Sequence, residues 1–191
     1  MRARRSAFKK TKRLFVVATE GAETEPIYFQ EFHPGRDGVF RLKLLGNPKH
    51  KSRPVEVVQR LMEYEKRERP GPDTEYWAVV DRDAWPESEL QDAWEMISAR
   101  RGYHLALSNP CFELWLWLHL RPNRPFFHRH DCQRALTREW PDFAKSSYDA
   151  AALMPHVASA IARAAELEER PDAPWPEQQG TRVHQLVSRL C

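Results

Sequence analysis

The sequence has no apolar run long enough to cross a membrane, and it has few cysteine residues. A membrane-spanning helix needs about 20 consecutive apolar residues, and no run in this chain reaches that length. The three cysteines, Cys111, Cys132 and Cys191, include no C-x-x-C pair, which argues against a disulfide framework and a zinc ribbon. The basic N-terminus lacks the apolar segment of a secretion signal. We therefore expect a cytoplasmic protein that does not associate with a membrane.

The chain also lacks the G-x-x-x-x-G-K-[ST] sequence of a phosphate-binding loop. Any dependence on ATP would therefore have to come from a partner protein. At 191 residues with 41% hydrophobic residues, the chain is long enough to bury the core of one domain and to add a small helical extension.

Positive charge is concentrated at the N-terminus. Residues 1–13 hold seven of the 30 Lys and Arg residues and none of the 27 acidic residues, which leaves 23 basic against 27 acidic residues in the rest. A basic arm in front of a folded domain can neutralise phosphates and attract nucleic acid, whereas the alternative is a solvated leader without a partner. We predict nucleic-acid contacts at Arg4, Arg5, Lys9, Lys10, Lys12 and Arg13.

Strand and helix patterns alternate over the first two thirds of the chain. The predicted strands are 14–19, 39–46, 74–80 and 103–108, and the predicted helices are 25–32, 54–69, 87–102 and 109–120. This order is typical of an open, mainly parallel α/β sheet with helices on both faces and a site at the carboxyl ends of the strands. The rest shows no clear strand and is predicted to form two or three helices. The predicted units are a basic arm (1–13), a four-stranded α/β core (14–120) and a helical C-terminal extension (121–191) packed on the core.

The helix predicted at 109–120 combines an apolar surface with one carboxylate. Asn109 is expected to cap its N-terminus and Pro110 to be its first residue. The helix is apolar nearly all round and should be buried, yet Glu113 lies in its first turn. A buried carboxylate needs hydrogen bonds, a cation or a site open to water. The alternative is an exposed carboxylate that only interacts with the helix dipole.

Acidic residues follow two of the predicted strands. Asp81 and Asp83 come at the end of the third strand, and Glu20 follows the first. Side chains two residues apart on a strand point the same way, and the carboxyl ends of parallel strands share one edge of the sheet. The three carboxylates should converge, and a divalent cation such as Mg²⁺ would relieve their repulsion. An isolated D-x-D more often caps a turn. Glu23 and Glu25 are expected to be ordinary acids of a helix first turn, and the alternative is that one of them reaches the metal site.

The combination of these strand ends resembles the Toprim domain of bacterial primases, topoisomerases and several nucleases. The matching residues are Glu20 with Gly21, and Asp81 with Asp83. Nearly the whole chain also resembles the RloB-like family, through VATEGAETEPIYFQEF, VVDRDAW, LALSNPCFELWLWLHL, FAKSSYDAAALMPHVASAIARAAEL and GTRVHQLVSRL in this order. Ala18 stands where related sequences more often have a cysteine or a larger apolar residue, a departure that concerns packing.

The resemblance implies a Toprim-like core and a nuclease activity that depends on Mg²⁺ or Mn²⁺. It also implies a role in bacterial anti-phage defence, because members are often encoded beside a partner ATPase of the AAA or ABC type in restriction or abortive-infection loci. The expected substrate is a phosphodiester bond in DNA or RNA, and a homo-oligomer stays open. Glu20, Asp81 and Asp83 are the expected metal ligands and catalytic residues, with Glu113 as a further catalytic residue. Lys145, at a position that the family tends to keep basic, is the expected phosphate contact.

Other functions are less compatible with the sequence. A D-x-D also occurs in transferases as a metal-nucleotide clamp and in phosphatases, but those phosphatases place the pair after their first strand, and here it follows the third. Topoisomerases need a tyrosine-bearing domain and primases need added modules, for which 191 residues leave no room. The main alternative is a subunit without catalytic activity that binds or senses nucleic acid while its partner acts.

Overall fold

The computed structural model describes residues 12–33, 38–47, 52–82 and 85–191. The strands in this part of the chain are β1 (Arg13–Thr19), β2 (Phe40–Leu45), β3 (Glu75–Asp81), β4 (Tyr103–Asn109) and β5 (Gly180–Thr181). They form one sheet in the order β2-β1-β3-β4-β5. The first four are parallel to one another, and β5 pairs antiparallel with β4. The predicted α/β architecture with an open, mainly parallel sheet is confirmed.

Helices cover both faces of this sheet. Their bounds are α1 (Thr24–Gln30), α2 (Pro54–Glu68), α3 (Glu87–Ser98), α4 (Glu113–Leu120), α5 (Arg129–Glu139), α6 (Val157–Glu166) and α7 (Val183–Leu190), with a 3₁₀ helix (Ala150–His156) directly before α6. No helix within the described ranges combines the length and the apolar character that crossing a bilayer requires.

The continuous apolar character of β1 follows from burial on two sides. Phe15 and Val17 belong to one apolar cluster, which also contains residues of α1, α4, α6 and α7. Val16 and Ala18 belong to a second cluster, with residues of α2 and α3. Because successive side chains of a strand point to opposite faces, a central parallel strand needs apolar residues at every position.

The sequence pattern predicts four strands and no strand after residue 120, and this prediction is wrong because the sheet has a fifth strand, β5. Thr181 pairs with Ser108 and Gly180 with Asn109, which makes β5 an edge strand next to β4. The hydroxyl groups of Ser108 and Thr181 lie 2.8 Å apart and share a hydrogen bond. A strand of two residues has no alternating pattern that could distinguish it from the start of a helix, and only its pairing with β4 defines it.

The predicted start of α4 is also wrong. Asn109 is the last residue of β4, and α4 begins at Glu113. The side-chain amide of Asn109 donates hydrogen bonds to the carbonyl oxygens of Pro176 at 3.2 Å and Glu177 at 3.0 Å. Asn109 therefore holds a distant loop instead of capping the helix that follows it.

The helix predicted at 87–102 ends earlier, at Ser98. Gly102 lies in the turn before β4 with φ of +79°, a conformation that side chains disfavour. A Cβ atom at this position would lie 2.8 Å from the carbonyl oxygen of Thr74. The glycine thus serves the turn between α3 and β4 rather than the end of the helix.

Candidate functional site

A pocket of about 440 Å³ opens at the carboxyl edge of the sheet. Glu20, Asp81, Glu113 and Lys145 all line it. They come from four separate segments: the residue after β1, the last residue of β3, the first residue of α4 and the loop after α5. The fold therefore brings together four residues that the sequence analysis named as site residues.

Glu20 is fixed in place through both its backbone and its carboxylate. Its N–H donates to the carbonyl oxygen of Val79 at 2.9 Å, and its Oε2 accepts from the N–H of Asp81 at 3.0 Å. Its carbonyl oxygen accepts hydrogen bonds from the side chains of Asn47 at 3.2 Å and Ser52 at 3.3 Å. The ends of β1 and β3 thus hold the Glu20 carboxylate directly beside the Asp81 backbone.

Asp81 is the half-buried last residue of β3, opposite Ser108 of β4. Asp83, the other half of the D-x-D pair, lies outside the described residues. Within the described ranges, no group of three or more His, Cys, Asp and Glu side chains is arranged to hold a metal ion. Mg²⁺ often takes only one or two carboxylates and completes its shell with water and substrate phosphate. Glu20 and Asp81 fit such an open site, and do not fit a closed site made of protein ligands alone.

Glu113 is a buried carboxylate paired with a cation. It is 3% exposed, its Oε1 lies 2.5 Å from Nζ of Lys145, and it accepts a hydrogen bond from the side chain of Gln133 at 3.2 Å. The expectation that Glu113 needs a compensating partner is correct, and the alternative of an exposed helix-end acid is wrong. The apolar surface of α4 explains the burial, because the helix packs between the sheet and the C-terminal helices.

Lys145 lines the pocket, and a hydrogen bond to its backbone carbonyl oxygen fixes its position. The hydroxyl group of Thr24 donates to the carbonyl oxygen of Lys145 at 3.2 Å, and the Tyr148 hydroxyl donates to the carbonyl oxygen of Thr24 at 2.7 Å. Burial lowers the pKa of Lys145, but the hydrogen bond and negative charge of Glu113 outweigh it, and the net effect is a raised pKa. Lys145 is therefore a cation at neutral pH, with a half-exposed side chain.

Glu25 also lines the pocket, although its place in the first turn of α1 favoured an ordinary helix-end acid over a site residue. It is 5% exposed, and its Oε1 accepts a hydrogen bond from the N–H of Gly21 at 3.0 Å. Burial raises the pKa of the Glu25 carboxyl, the nearby charge of Glu113 raises it further, and hydrogen bonds from backbone N–H groups oppose both effects.

Gly21 is the residue that leaves room for the Glu25 carboxylate. A Cβ atom at position 21 would lie 2.1 Å from Oε2 of Glu25, so any other residue would push the carboxylate away. The sequence signal for this contact is the spacing of a glycine and an acid four residues apart across the start of α1. The Glu-Gly pair after β1 therefore provides a carboxylate and also the space for a second one.

The basic N-terminal residues divide into two groups. Arg4, Arg5, Lys9 and Lys10 lie outside the described residues, so their predicted nucleic-acid contacts stay a prediction. Lys12 is exposed immediately before β1, and Arg13 is the first residue of that strand. The Arg13 guanidinium forms an ion pair with Glu75 and lies 5.5 Å from the ring centroid of Phe15. Arg13 therefore belongs to the folded sheet.

A glutamate after the first strand and an aspartate at the end of β3, meeting on an open and mainly parallel sheet, define a Toprim-like α/β protein. The family model described as RloB-like protein matches residues 15–190. The chain belongs to the RloB-like family. The comparison with curated proteins gives no match, and the comparison with solved structures gives none.

Proposed function

We propose that this protein is a metal-dependent nuclease that hydrolyses phosphodiester bonds in DNA or RNA. The observation that carries the proposal is the convergence of Glu20, Asp81, Glu113 and Lys145 on one pocket at the carboxyl edge of the sheet. Carboxylates beside a lysine suit a reaction in which a phosphate is held while charge develops on it. Family membership supports a role in anti-phage defence together with a partner ATPase.

Glu20 and Asp81, with Asp83 of the same motif, would hold Mg²⁺ or Mn²⁺. Bound there, the ion would orient the scissile phosphate and lower the pKa of an attacking water. The hydrogen bond from the Asp81 N–H to the Glu20 carboxylate keeps one ligand oriented before substrate arrives. Such preorganisation avoids a reorganisation cost during the reaction.

Lys145 would contact the phosphate from the other side of the pocket. Its ion pair with Glu113 directs the ammonium group and keeps it charged, because the buried carboxylate favours the protonated lysine. Glu113 therefore acts as a positioning residue for Lys145 in this proposal. Glu25 lines the same pocket, where its carboxylate occupies the space that a Cβ atom at position 21 would fill.

The test is cleavage of labelled DNA, transfer RNA and ribosomal RNA with Mg²⁺ or Mn²⁺, with and without ATP and any ATPase that is encoded beside the protein. Asp81→Asn should lower the cleavage rate at least about a hundredfold, because a metal ligand stabilises charge that appears only in the transition state. Its affinity for nucleic acid should stay within a few fold of the wild type, since it removes no positive charge.

Asp92→Asn is the matched control, because Asp92 is an exposed aspartate of α3 on the other side of the sheet, and it should cleave like the wild type. If the wild type and Asp81→Asn were equally inactive on every substrate while binding one of them tightly, the nuclease proposal would fail. The protein would then be the nucleic-acid-binding subunit of such a complex.

A further inference from the structure

A basic groove extends from the pocket along α5 and the loop before it, here called the α5 groove. It consists of two hollows of about 440 and 640 Å³. Arg129 lines both the pocket and the first hollow, and Phe127 lines both hollows. The pocket and the two hollows therefore adjoin one another, with Arg129 and Phe127 at the two boundaries.

The α5 groove carries an excess of positive charge, although the chain beyond its N-terminal arm has more acidic than basic residues. The described residues that line it include five arginines and two histidines against two acids, Asp131 and Glu177. Both acids already have basic partners, at 2.6 Å from Arg134 and 2.8 Å from Arg170. Exposed ion pairs of this kind are weak, so a phosphate can replace either acid as the arginine's partner at little cost.

The arginines of the groove are presented on ordered elements. Arg134 and Arg138 are exposed and lie four residues apart on α5, which puts them on one face of the helix. The guanidinium of Arg124 lies 5.3 Å from the ring centroid of Trp117 and 5.0 Å from that of Phe126. These cation–π contacts fix its position in the loop before α5 while its charge faces the groove.

Phe127 lines both hollows, the second together with these arginines, and the residue is 83% exposed to solvent. Its neighbour Phe126 is buried, packs edge-on against Trp117 at 5.6 Å, and donates its N–H to the side chain of Gln179 at 2.6 Å. The loop is thus anchored at one residue, and the next residue projects into the groove. Among the residues that the structure describes, no aromatic or cation–π contact explains the position of this exposed ring.

We propose that the α5 groove binds single-stranded nucleic acid, with a base stacked on Phe127 and phosphates held by Arg134 and Arg138. An aromatic face in a positively charged groove is the usual platform for unpaired bases, whereas the bases of a duplex are already stacked on each other. The strand would continue past Arg129 into the pocket. This direction rests on the proposed nuclease function, but binding to the groove does not require cleavage.

The test is fluorescence anisotropy with a labelled mixed-sequence single strand and the matched duplex, in EDTA so that no cleavage occurs. Phe127→Ala should weaken single-strand binding about tenfold and change duplex binding little, while Phe127→Trp should keep the wild-type affinity. Arg134→Gln combined with Arg138→Gln should weaken binding and reduce the slope of log affinity against log salt by about 1 to 2.

Two control variants match these changes elsewhere on the surface. Val39→Ala removes an apolar side chain that is 81% exposed, and Arg67→Gln removes an exposed charge from α2, on the other face of the sheet. Neither should change the affinity. All the substituted residues are exposed, and thermal melting would verify that each variant folds.

Wild-type affinity in Phe127→Ala, or duplex affinity equal to that for the single strand, would overturn the proposal for the groove. The binding experiment tests the groove independently of the nuclease proposal. Loss of binding in Phe127→Ala without cleavage by the wild type would support the groove and reject the nuclease. Cleavage by the wild type with unchanged binding in Phe127→Ala would support the nuclease and reject the groove.

Discussion

At the scale of single residues, the pocket depends on charges that need one another. Glu113 is almost completely buried and would be costly to ionise without Lys145 and Gln133 beside it. Glu25 is buried under Gly21 and carries a raised pKa because of that burial. Lys145 is the ion-pair partner of Glu113, and its positive charge opposes the rise that burial causes in the pKa of Glu25. Its removal should therefore affect stability and activity together.

Lys145→Met should lower the free energy of unfolding by about 2 kcal/mol, because it leaves the Glu113 carboxylate buried without its cation. Glu113→Gln in the same chain should recover most of this loss, since a neutral amide needs no cation. Urea unfolding of the wild type, both single variants and the double variant measures the coupling between the residues. Additive effects of the two substitutions would show that the ion pair contributes nothing to stability.

At the scale of elements, α4 is the helix around which the two sides of the site are assembled. Its first residue contacts Lys145, and its later turns pack against α1 through an aromatic group that includes Tyr28, Trp115 and His119. Nδ1 of His119 lies 2.9 Å from the carbonyl oxygen of Trp115, and its Nε2 lies 3.0 Å from the Tyr28 hydroxyl. In the neutral ring Nδ1–H therefore donates to Trp115, and Nε2 accepts from Tyr28.

His119 should make the fold sensitive to acid. Burial lowers its pKa from 6.5 to about 4, so the unfolded chain takes up a proton at a pH where the folded protein does not. The stabilisation is complete above pH 6.5 and is lost as the pH falls towards 4, in total about 3 kcal/mol. Urea unfolding at pH 7 and pH 5 measures part of this loss.

His119→Gln should show a weaker fall in stability between these two pH values than the wild type. His128→Gln is the control, because His128 is exposed before α5 and should keep the wild-type pH dependence. The same pH dependence in His119→Gln and in the wild type would mean that other groups cause the acid sensitivity.

At the scale of the whole molecule, the C-terminal segment completes the fold that the first four strands begin. β5 extends the sheet, and α6 and α7 share one apolar cluster with α1 and α4. Arg182 is 6% exposed. Its guanidinium binds Glu168 and the carbonyl oxygens of Arg170, Pro171 and Pro174. These bonds hold the loop at 168–175 beside β5. The predicted division into an arm (1–13), a core (14–120) and a C-terminal extension (121–191) stays a prediction.

Deleting residues 1–11 should separate the roles of the basic arm and the fold. The deletion removes Arg2, Arg4, Arg5, Lys9 and Lys10 but keeps Arg13 and its ion pair with Glu75. Thermal stability should therefore be retained, while nucleic-acid affinity and its salt dependence fall because fewer phosphates are neutralised. An unchanged affinity across a salt titration would make the arm a passive leader, with binding left to other surfaces.

The sequence by itself determined the order of the four parallel strands and of the helices between them, and the acids at the ends of β1 and β3. Both follow from local patterns: runs of apolar residues for buried strands, helical spacing for amphipathic helices, and the rule that parallel strands end at one edge. Glu20 and Asp81 were predictable for this reason, and they line one pocket.

The tertiary structure alone decided the partners of those residues. Lys145 reaches Glu113, Gly21 makes room for Glu25, Asn109 binds a distant loop, and Thr181 joins the edge of the sheet. The exposed position of Phe127 depends likewise on the anchoring of Phe126 by Gln179. Each of these contacts depends on the packed conformation, and most of them join residues far apart in the chain. No repeating pattern in the sequence encodes them.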